Sequence, residues 1–314
     1  MKKVLSFVLF IVIALSGVIL MSCDNDKDAK VRIMVPNGIT LIAVGGLYDN
    51  PDVEIENVDG PDLLTTELVK TDYDIIIAPL NLGAKLYNNN QTKFKLDAMI
   101  TFGNVYIVSK QGAHLDNTLA DLEGKKLLAF GQNATPGIIL RAALKAKNMA
   151  PEIDYKNSVT EVVGLFTAEN PQYDYALVAE PVLSQLRLKR NMTLNKVDLQ
   201  DALQTEMDSI PQAGVFVNSE SKRLSKVDRI LSALKSNIER LNQKPEEYAQ
   251  EIVEYNDYFK IMTKEIIASA IQSGNVIDYK KAKDNKPVLD AYFQLLINQN
   301  KNLLDKLPEN NFYY

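Results

Sequence analysis

Residues 124–143 read GKKLLAFGQNATPGIILRAA. Within them, residues 126–130 form a short and mostly apolar run, long enough for a buried strand and too short for a helix. Gly131, Gln132, Asn133 and Ala134 break the run, and Thr135-Pro136 opens an apolar-periodic segment through Ile138, Ile139, Ala142 and Ala143. Thr135 suits an N-cap, where its hydroxyl accepts from an orphan backbone N–H. Pro136 suits the first helical turn, where a missing N–H costs nothing. The stretch therefore reads strand, polar loop, helix start. In open α/β sheets that juncture, beyond the carboxyl end of a strand, is where small ligands sit, served by helix-start amides and short polar side chains. An ordinary βα turn has the same pattern, so the rest of the chain has to separate the two.

Upstream, the same alternation is present. Strands are expected at residues 31–35, 53–58 and 73–78, helices at 40–47, 61–70 and 81–87, and a long strand-like run at 96–109 bends at Gly103. Alternation of this length implies a mostly parallel sheet with helices on both faces. The pattern then restarts at residue 126. YDIIIAPLNLGAKL at 73–86 is followed a hundred residues later by YDYALVAEPVLSQL at 173–186; Tyr, Asp and the last Leu coincide, and both pass from strand into helix. Two lobes, each a small α/β unit, account for the repeated order. After a further strand at 212–218 the chain reads as helical. Leu224, Val227, Ile230, Leu231, Leu234, Ile238 and Leu241 make one apolar stripe, and segments 245–258, 263–272 and 286–300 continue in that style.

At the N-terminus Lys2 and Lys3 precede an almost unbroken apolar run at residues 4–21, which ends in Leu20-Met21-Ser22-Cys23. Cys23 is the single cysteine. The run is just long enough to span a membrane, but a lone cysteine after a small residue resembles a bacterial lipobox, cut before an acylated thiol. Residues 24–30, DNDKDAK, then read as a flexible spacer. Beyond residue 22 there are 33 basic residues against 40 acidic, a net charge of −7. An acidic surface without Lys/Arg clusters argues against nucleic acid and against an electrostatically held membrane surface.

LADLEGKK at 119–126 resembles the L-x-D-L-x-G-K signature of type II substrate-binding proteins of ABC importers. QNATP at 132–136 resembles the ligand loop of their nitrate/sulfonate/taurine/thiamine-precursor branch. FGNVYIV at 102–108 is similar to the strand that crosses between lobes, and Ala179-Glu180-Pro181 to the turn ending a second-lobe strand. The resemblance implies an α/β, two-lobe type II periplasmic-binding-protein fold, each lobe a mostly parallel sheet flanked by helices, with the extra C-terminal helices on the first lobe. It divides the chain into a signal peptide (1–22), a tether (23–30), a first lobe (31–105 and 216–314) and a second lobe (106–215). It implies lipidation at Cys23, an extracytoplasmic membrane-anchored location, an ABC permease with its ATPase as partners, and a monomer without cofactor or metal. A solute would be held by the strand-end loops: Asn37, Gly38 and Thr40; Asn81; Thr101, Phe102 and Asn104; Gln132, Asn133 and Thr135; Glu180.

None of these positions is Arg or Lys, the usual clamps for a carboxylate, sulfonate or phosphate. A polar heterocycle or amine is therefore favoured over a small oxyanion. Glu180 either faces the cleft or complements a helix dipole, and Phe102, Tyr106 and Tyr48 either stack on a planar ring or belong to the core. Some proteins of this fold are enzymes, a chorismate dehydratase and a thiamine-pyrimidine synthase among them. Here the synthase's cysteine-rich motif is missing, and the single histidine, His114, has no histidine or free cysteine partner. Carboxylate chemistry between Asp59 and Glu180 is the enzymatic alternative to solute capture. A surface lipoprotein that binds a macromolecule would need an exposed apolar patch or repeat surface that the sequence does not display.

Overall fold

The computed structural model describes residues 29–314 except 133, 169–171, 204–206, 208 and 275. The apolar N-terminal run, Cys23 and Asn133 lie outside the described residues. Among the described residues no helix is long and apolar enough to cross a membrane.

Eleven strands are described: β1 Val31–Pro36, β2 Val53–Val58, β3 Ile75–Pro79, β4 Phe94–Phe102, β5 Tyr106–Lys110, β6 Lys126–Phe130, β7 Glu152–Lys156, β8 Tyr175–Val178, β9 Leu194–Asp198, β10 Pro211–Asn218 and β11 Ile277–Lys281. They form a six-stranded sheet in the order β11-β4-β10-β3-β1-β2 and a five-stranded sheet in the order β7-β6-β8-β5-β9. In the first, β1 pairs in parallel with β2 and β3, while β10 runs antiparallel between β3 and β4. In the second, β6 is parallel to β7 and β8, and β5 runs antiparallel between β8 and β9.

The two sheets thus share one plan, β3-β1-β2 matching β8-β6-β7, and the match extends to side chains. Tyr73 donates its hydroxyl to Glu56 on β2, and Tyr173 donates to Asp154 on β7. The Asp74 carbonyl accepts from Asn218 at the end of β10, as the Asp174 carbonyl accepts from Lys110 at the end of β5. The Tyr-Asp coincidence in the sequence marks equivalent positions in two copies of one sheet.

Side-chain alternation on β1 divides the first lobe's core. Ile33 and Val35 face helices Ile39–Val44, Leu224–Gln243, Pro245–Ile252 and Lys264–Gln272, and the Val227-to-Leu241 stripe is buried there. Met34 and Ile76 face helices Pro61–Lys70, Leu80–Asn88 and Lys286–Gln299. That second cluster continues without a break through Tyr292 and Ile138 to Leu127 and Leu177 of the second sheet. Helices from the C-terminal part pack on the second lobe as well as the first. Lys264–Gln272 lies against Val182–Leu188, and Lys286–Gln299 against Thr135–Ala146. The chain end closes the first lobe, the Tyr314 N–H donating to the Leu96 carbonyl at 2.8 Å.

The region after residue 218 is not wholly helical, because β11 pairs antiparallel with β4. Only Ile277 and Tyr279 of its five residues are buried, so a charged five-residue edge strand gives no strand period long enough to read. The long run at 96–109 is two strands separated at residues 103–105, and the helical segment 245–258 is interrupted before Asn256, which caps Asp257–Met262 by accepting from the Phe259 N–H. The chain is back in the first sheet by Pro211.

Candidate functional site

Strand direction fixes where the site can be. The parallel strands β1, β2 and β3 end together at Pro36, Val58 and Pro79, and β4 ends beside them at Phe102. In the second sheet β6, β7, β8 and β9 end together at Phe130, Lys156, Val178 and Asp198, and β5 begins on that edge, Tyr106 pairing with both Val178 and Asp198. Only residues 103–105 join β4 to β5, a link that reaches at most about 10 Å. The two carboxyl edges therefore face each other, and the loops that carry the expected residues leave those edges.

On the first edge the Asn37 amide donates to Asp59 Oδ1 at 2.5 Å and accepts from Asn57 Nδ2 at 2.8 Å. Gly38 holds φ 110°, a conformation that L side chains avoid, and a Cβ there would meet open space. Tyr258 lies against the Gly38 amide and near Asp59; burial pushes its phenol up to about 12, so it stays neutral. Thr40 turns back on its own chain, its hydroxyl donating to the Pro36 carbonyl at 2.7 Å. Asn81 Oδ1 is buried and has no hydrogen-bond donor among the described residues. Thr101 is buried too, its hydroxyl accepting from the Ala213 N–H at 3.1 Å and holding β4 to β10.

On the second edge Gln132 is exposed, and its carbonyl accepts from Arg141 Nη1 at 2.7 Å; the same guanidinium nitrogen reaches the Tyr155 hydroxyl at 3.2 Å. The Gly131 carbonyl accepts from the Ala134 and Gly137 amides at 2.9 and 3.1 Å, folding the loop onto the helix start. Gly137 allows that approach, since a Cβ there would lie 2.4 Å from the Gly131 oxygen. The N-cap is Ala134 rather than Thr135. Thr135 is the first helical residue, and its buried hydroxyl meets the Tyr292 hydroxyl at 3.2 Å instead of a helix amide. A shift of one residue at a helix end is ordinary, but here it redirects the side chain.

Asn104 and Glu180 work together. The Asn104 side chain accepts from the Glu180 N–H at 2.6 Å and donates to the Glu180 carbonyl at 3.3 Å, pinning the link to the end of β8. The Glu180 carboxylate is buried and accepts from the Ser184 N–H at 3.0 Å. Burial raises its pKa above the ordinary 4.5, opposed by bonds from Ser184 and Ser273 and by the Lys196 charge. Asp198, on the same edge, is raised by burial as well. Ser184 joins the lobes, its hydroxyl 2.8 Å from that of Ser269 on helix Lys264–Gln272.

Phe102 is placed differently. It is buried beneath the Lys280 ammonium, 4.9 Å from its ring centre, and lines two cavities on the β11 side. One, about 450 Å³, is bordered by Phe102, Gln200, Ser209, Asn242, Asp278 and Lys280. The other, about 310 Å³, shares Phe102, Ser209 and Lys280 with it. Tyr48 stacks on Tyr255 with ring centres 5.8 Å apart, and Tyr106 is fully buried under Lys196. His114 lies past the far end of β5, away from the facing edges, and 2.8 Å from Asp121; with Asp116 the two bring three metal-ligand atoms within 4.8 Å.

No protein-family model matches the sequence, and no curated protein matches it. Solved structures do. An ABC transporter protein from Parabacteroides distasonis superposes with a TM-score of 0.73 at 24% identity, covering 91% of this chain and 99% of that one. The alkanesulfonate-binding protein SsuA from Xanthomonas axonopodis pv. citri, bound to MOPS, gives 0.66 at 14% identity, covering 91% and 98%. A Candida albicans gene product described as having the generic periplasmic binding protein structural fold gives 0.53 at 14%, covering 90% and 92%. This chain has the periplasmic binding protein fold. Sequence reasoning did not single out Tyr258 beside the first edge, or Arg141 and Asp198 beside the second. Tyr258 comes from the far end of the chain, and no local pattern distinguishes it from a core tyrosine.

Proposed function

We propose that the chain is the solute-binding component of an ABC importer, lipid-anchored through Cys23 on the extracytoplasmic side of the membrane. It captures a small polar organic solute between two hinged lobes and hands it to the permease and its ATPase, acting as a monomer and without catalysis. The observation that carries this reading is the pair of facing carboxyl edges joined by the short 103–105 link. Two walls of separate sheets then contribute contacts to one ligand, and a ligand that touches both shifts the lobes toward closure. Likeness to solved structures of an ABC transporter protein and a sulfonate-binding protein adds support. We take residues 31–105 as the first part of the first lobe and 106 onward as the second, with the return to the first lobe at Pro211 rather than 216 because β10 pairs with β3 and β4 from there; the tether is 23–30 and the signal peptide 1–22.

The solute we favour is an amine or N–H-rich heterocycle rather than an oxyanion. The Gly38 amide is already faced by the Tyr258 hydroxyl, Asp59 lies beside it, and the Asn81 side-chain oxygen has no donor among the described residues. Asn37, Gly38, Asn81, Gln132 and Asn133 would touch the solute. Thr40, Thr101, Asn104, Thr135 and Glu180 would hold the walls in shape. The test is a thermal-shift screen of the full chain against amines, pyrimidines, vitamins, amino acids and sulfonates. A solute at about a hundred times its Kd stabilises by about 2.7 kcal/mol. Stabilisation by sulfonates alone would overturn the solute class, and conversion of the stabilising compound would overturn the non-enzymatic reading. Mass spectrometry of the N-terminal peptide tests acylation of Cys23.

A further inference from the structure

We propose that the second lobe carries a transition-metal site, in which His114, Asp116 and Asp121 bind one divalent ion such as Zn²⁺. The segment HLDNTLADL at residues 114–122 builds it by setting ligands beside apolar anchors. Leu115, Leu119 and Leu122 are buried in the core on the face of the second sheet opposite helix Val159–Phe166. His114 and Asp116 flank the first anchor, and Asp121 adjoins the last. Two turns close the segment, the Leu119 N–H donating to the Asp116 carbonyl and the Leu122 N–H to the Leu119 carbonyl, both at 3.1 Å. They return Asp121 to His114, whose Nδ1 lies 2.8 Å from its Oδ2.

The donor set selects the ion. One ligand atom from each of the three side chains lies within 4.8 Å of the others. A small rotation of these solvent-facing groups brings all three to the distance of about 2.0–2.2 Å at which zinc holds imidazole nitrogen and carboxylate oxygen. Among the described residues neither carboxylate is ion-paired with a Lys or an Arg. Two carboxylates facing one imidazole therefore favour a dication. The imidazole nitrogen selects zinc and its neighbours over magnesium and calcium, which prefer oxygen throughout. Three protein ligands leave the remaining coordination to water.

The backbone that carries the imidazole is braced from three strands. The Ala113 carbonyl accepts from the Ser109 hydroxyl on β5 at 2.7 Å and from Asn195 Nδ2 on β9 at 2.8 Å. The His114 carbonyl accepts from the Tyr175 hydroxyl on β8 at 3.1 Å. Asp116 Oδ1 accepts from the Thr118 N–H and hydroxyl at 2.9 and 2.5 Å, which orients the carboxylate and leaves Oδ2 to the ion. Ligands held in this way lose little freedom when a metal arrives. The site lies on the edge of the second sheet away from the solute loops, and it stands whether or not the lobes hinge.

The test uses the full chain with Cys23→Ser, which removes the thiol as a competing zinc ligand, stripped of metal with EDTA. His114 is the single histidine, so one imidazole signal in a ¹H–¹⁵N NMR spectrum reports the site. Zn²⁺ should shift that signal and saturate it with a Kd on the order of 10 μM, weaker than a buried four-ligand site. His114→Gln, Asp116→Asn and Asp121→Asn should each weaken zinc in calorimetry by about tenfold or more, and Mg²⁺ in about a hundredfold excess should not displace it. In the chain with all three ligands intact, Co²⁺ should give pseudocontact shifts at the methyls of Leu115, Leu119 and Leu122, a readout that no ligand variant has to fold for. Zinc binding that leaves the His114 signal in place, unchanged affinity in the aspartate variants, displacement by Mg²⁺, or an absence of cobalt shifts at those leucines would each overturn the site.

Discussion

Thr135→Val deletes the hydroxyl that Tyr292 meets at 3.2 Å, in a place where Thr135 is 4% exposed and Tyr292 wholly buried. The valine keeps the shape of the residue but strands the phenol, and a buried polar group left unpaired costs about 1–3 kcal/mol. Tyr292→Phe strands the threonine hydroxyl in the same way and should cost about as much. The double variant leaves no orphan, since both partners become apolar at nearly constant shape, and such replacements are close to neutral. The singles should therefore lose about 2 kcal/mol each and the double under about 1 kcal/mol, a coupling well above the few tenths expected of independent sites. In a thermal scan, 2 kcal/mol is about 4–8 °C for a unit of 150–250 residues. Burial pushes the Tyr292 phenol up to about 12, so the pattern should hold unchanged from pH 5 to 9. Additive losses in the double variant, or singles indistinguishable from the parent, would refute the docking of the C-terminal helix on the second lobe.

Other consequences are open to measurement. Because burial raises Glu180 above its ordinary 4.5, the folded chain binds its proton to higher pH than the unfolded chain, and stability is lost as pH rises through the folded-state value. Glu180→Gln should remove much of that loss, so urea unfolding should find its advantage over the parent growing above pH 4.5; a pH-independent difference would contradict this. Gly83→Ala puts a Cβ 2.2 Å from the buried Phe216 ring and should destabilise by about 1–3 kcal/mol, with solute affinity unaltered in calorimetry. Arg141→Ala releases the Gln132 carbonyl and the Tyr155 hydroxyl. It should weaken a captured solute several-fold while changing the melting temperature little.

The strands easiest to foresee were those buried on both faces. β3 and β6 read as apolar runs because parallel strands covered by helices on each side need no polar alternation. The strands at 152–156, 194–198 and 277–281 carry EIDYK, LNKVD and IDYKK, and each lies at a sheet edge. Charged side chains suit an edge, and they erase the period by which a strand is recognised. The candidate residues followed the same division. That strand-end loops would hold the polar groups was legible from the strand–loop–helix punctuation. What each side chain does was not, because its partner is distant: Thr135 meets Tyr292, and Asn104 braces Glu180. Phe102 read as a ligand platform, yet its ring faces β11, a strand that the sequence did not reveal.

The interleaving of β10 between β3 and β4 has a consequence for biosynthesis. The five strands of the second sheet are contiguous in the chain and complete at Asp198, whereas the first sheet lacks β10 until Asn218 and β11 until Lys281 have been made. Throughout that interval β3 and β4 each offer a row of unpaired amides and carbonyls, the kind of surface that pairs with whatever strand comes next. The lobe that begins the chain is thus the last to be finished, and a ribosome stalled before Pro211 would hold one complete sheet and one lacking two strands, with β3 open on one side and β4 on both.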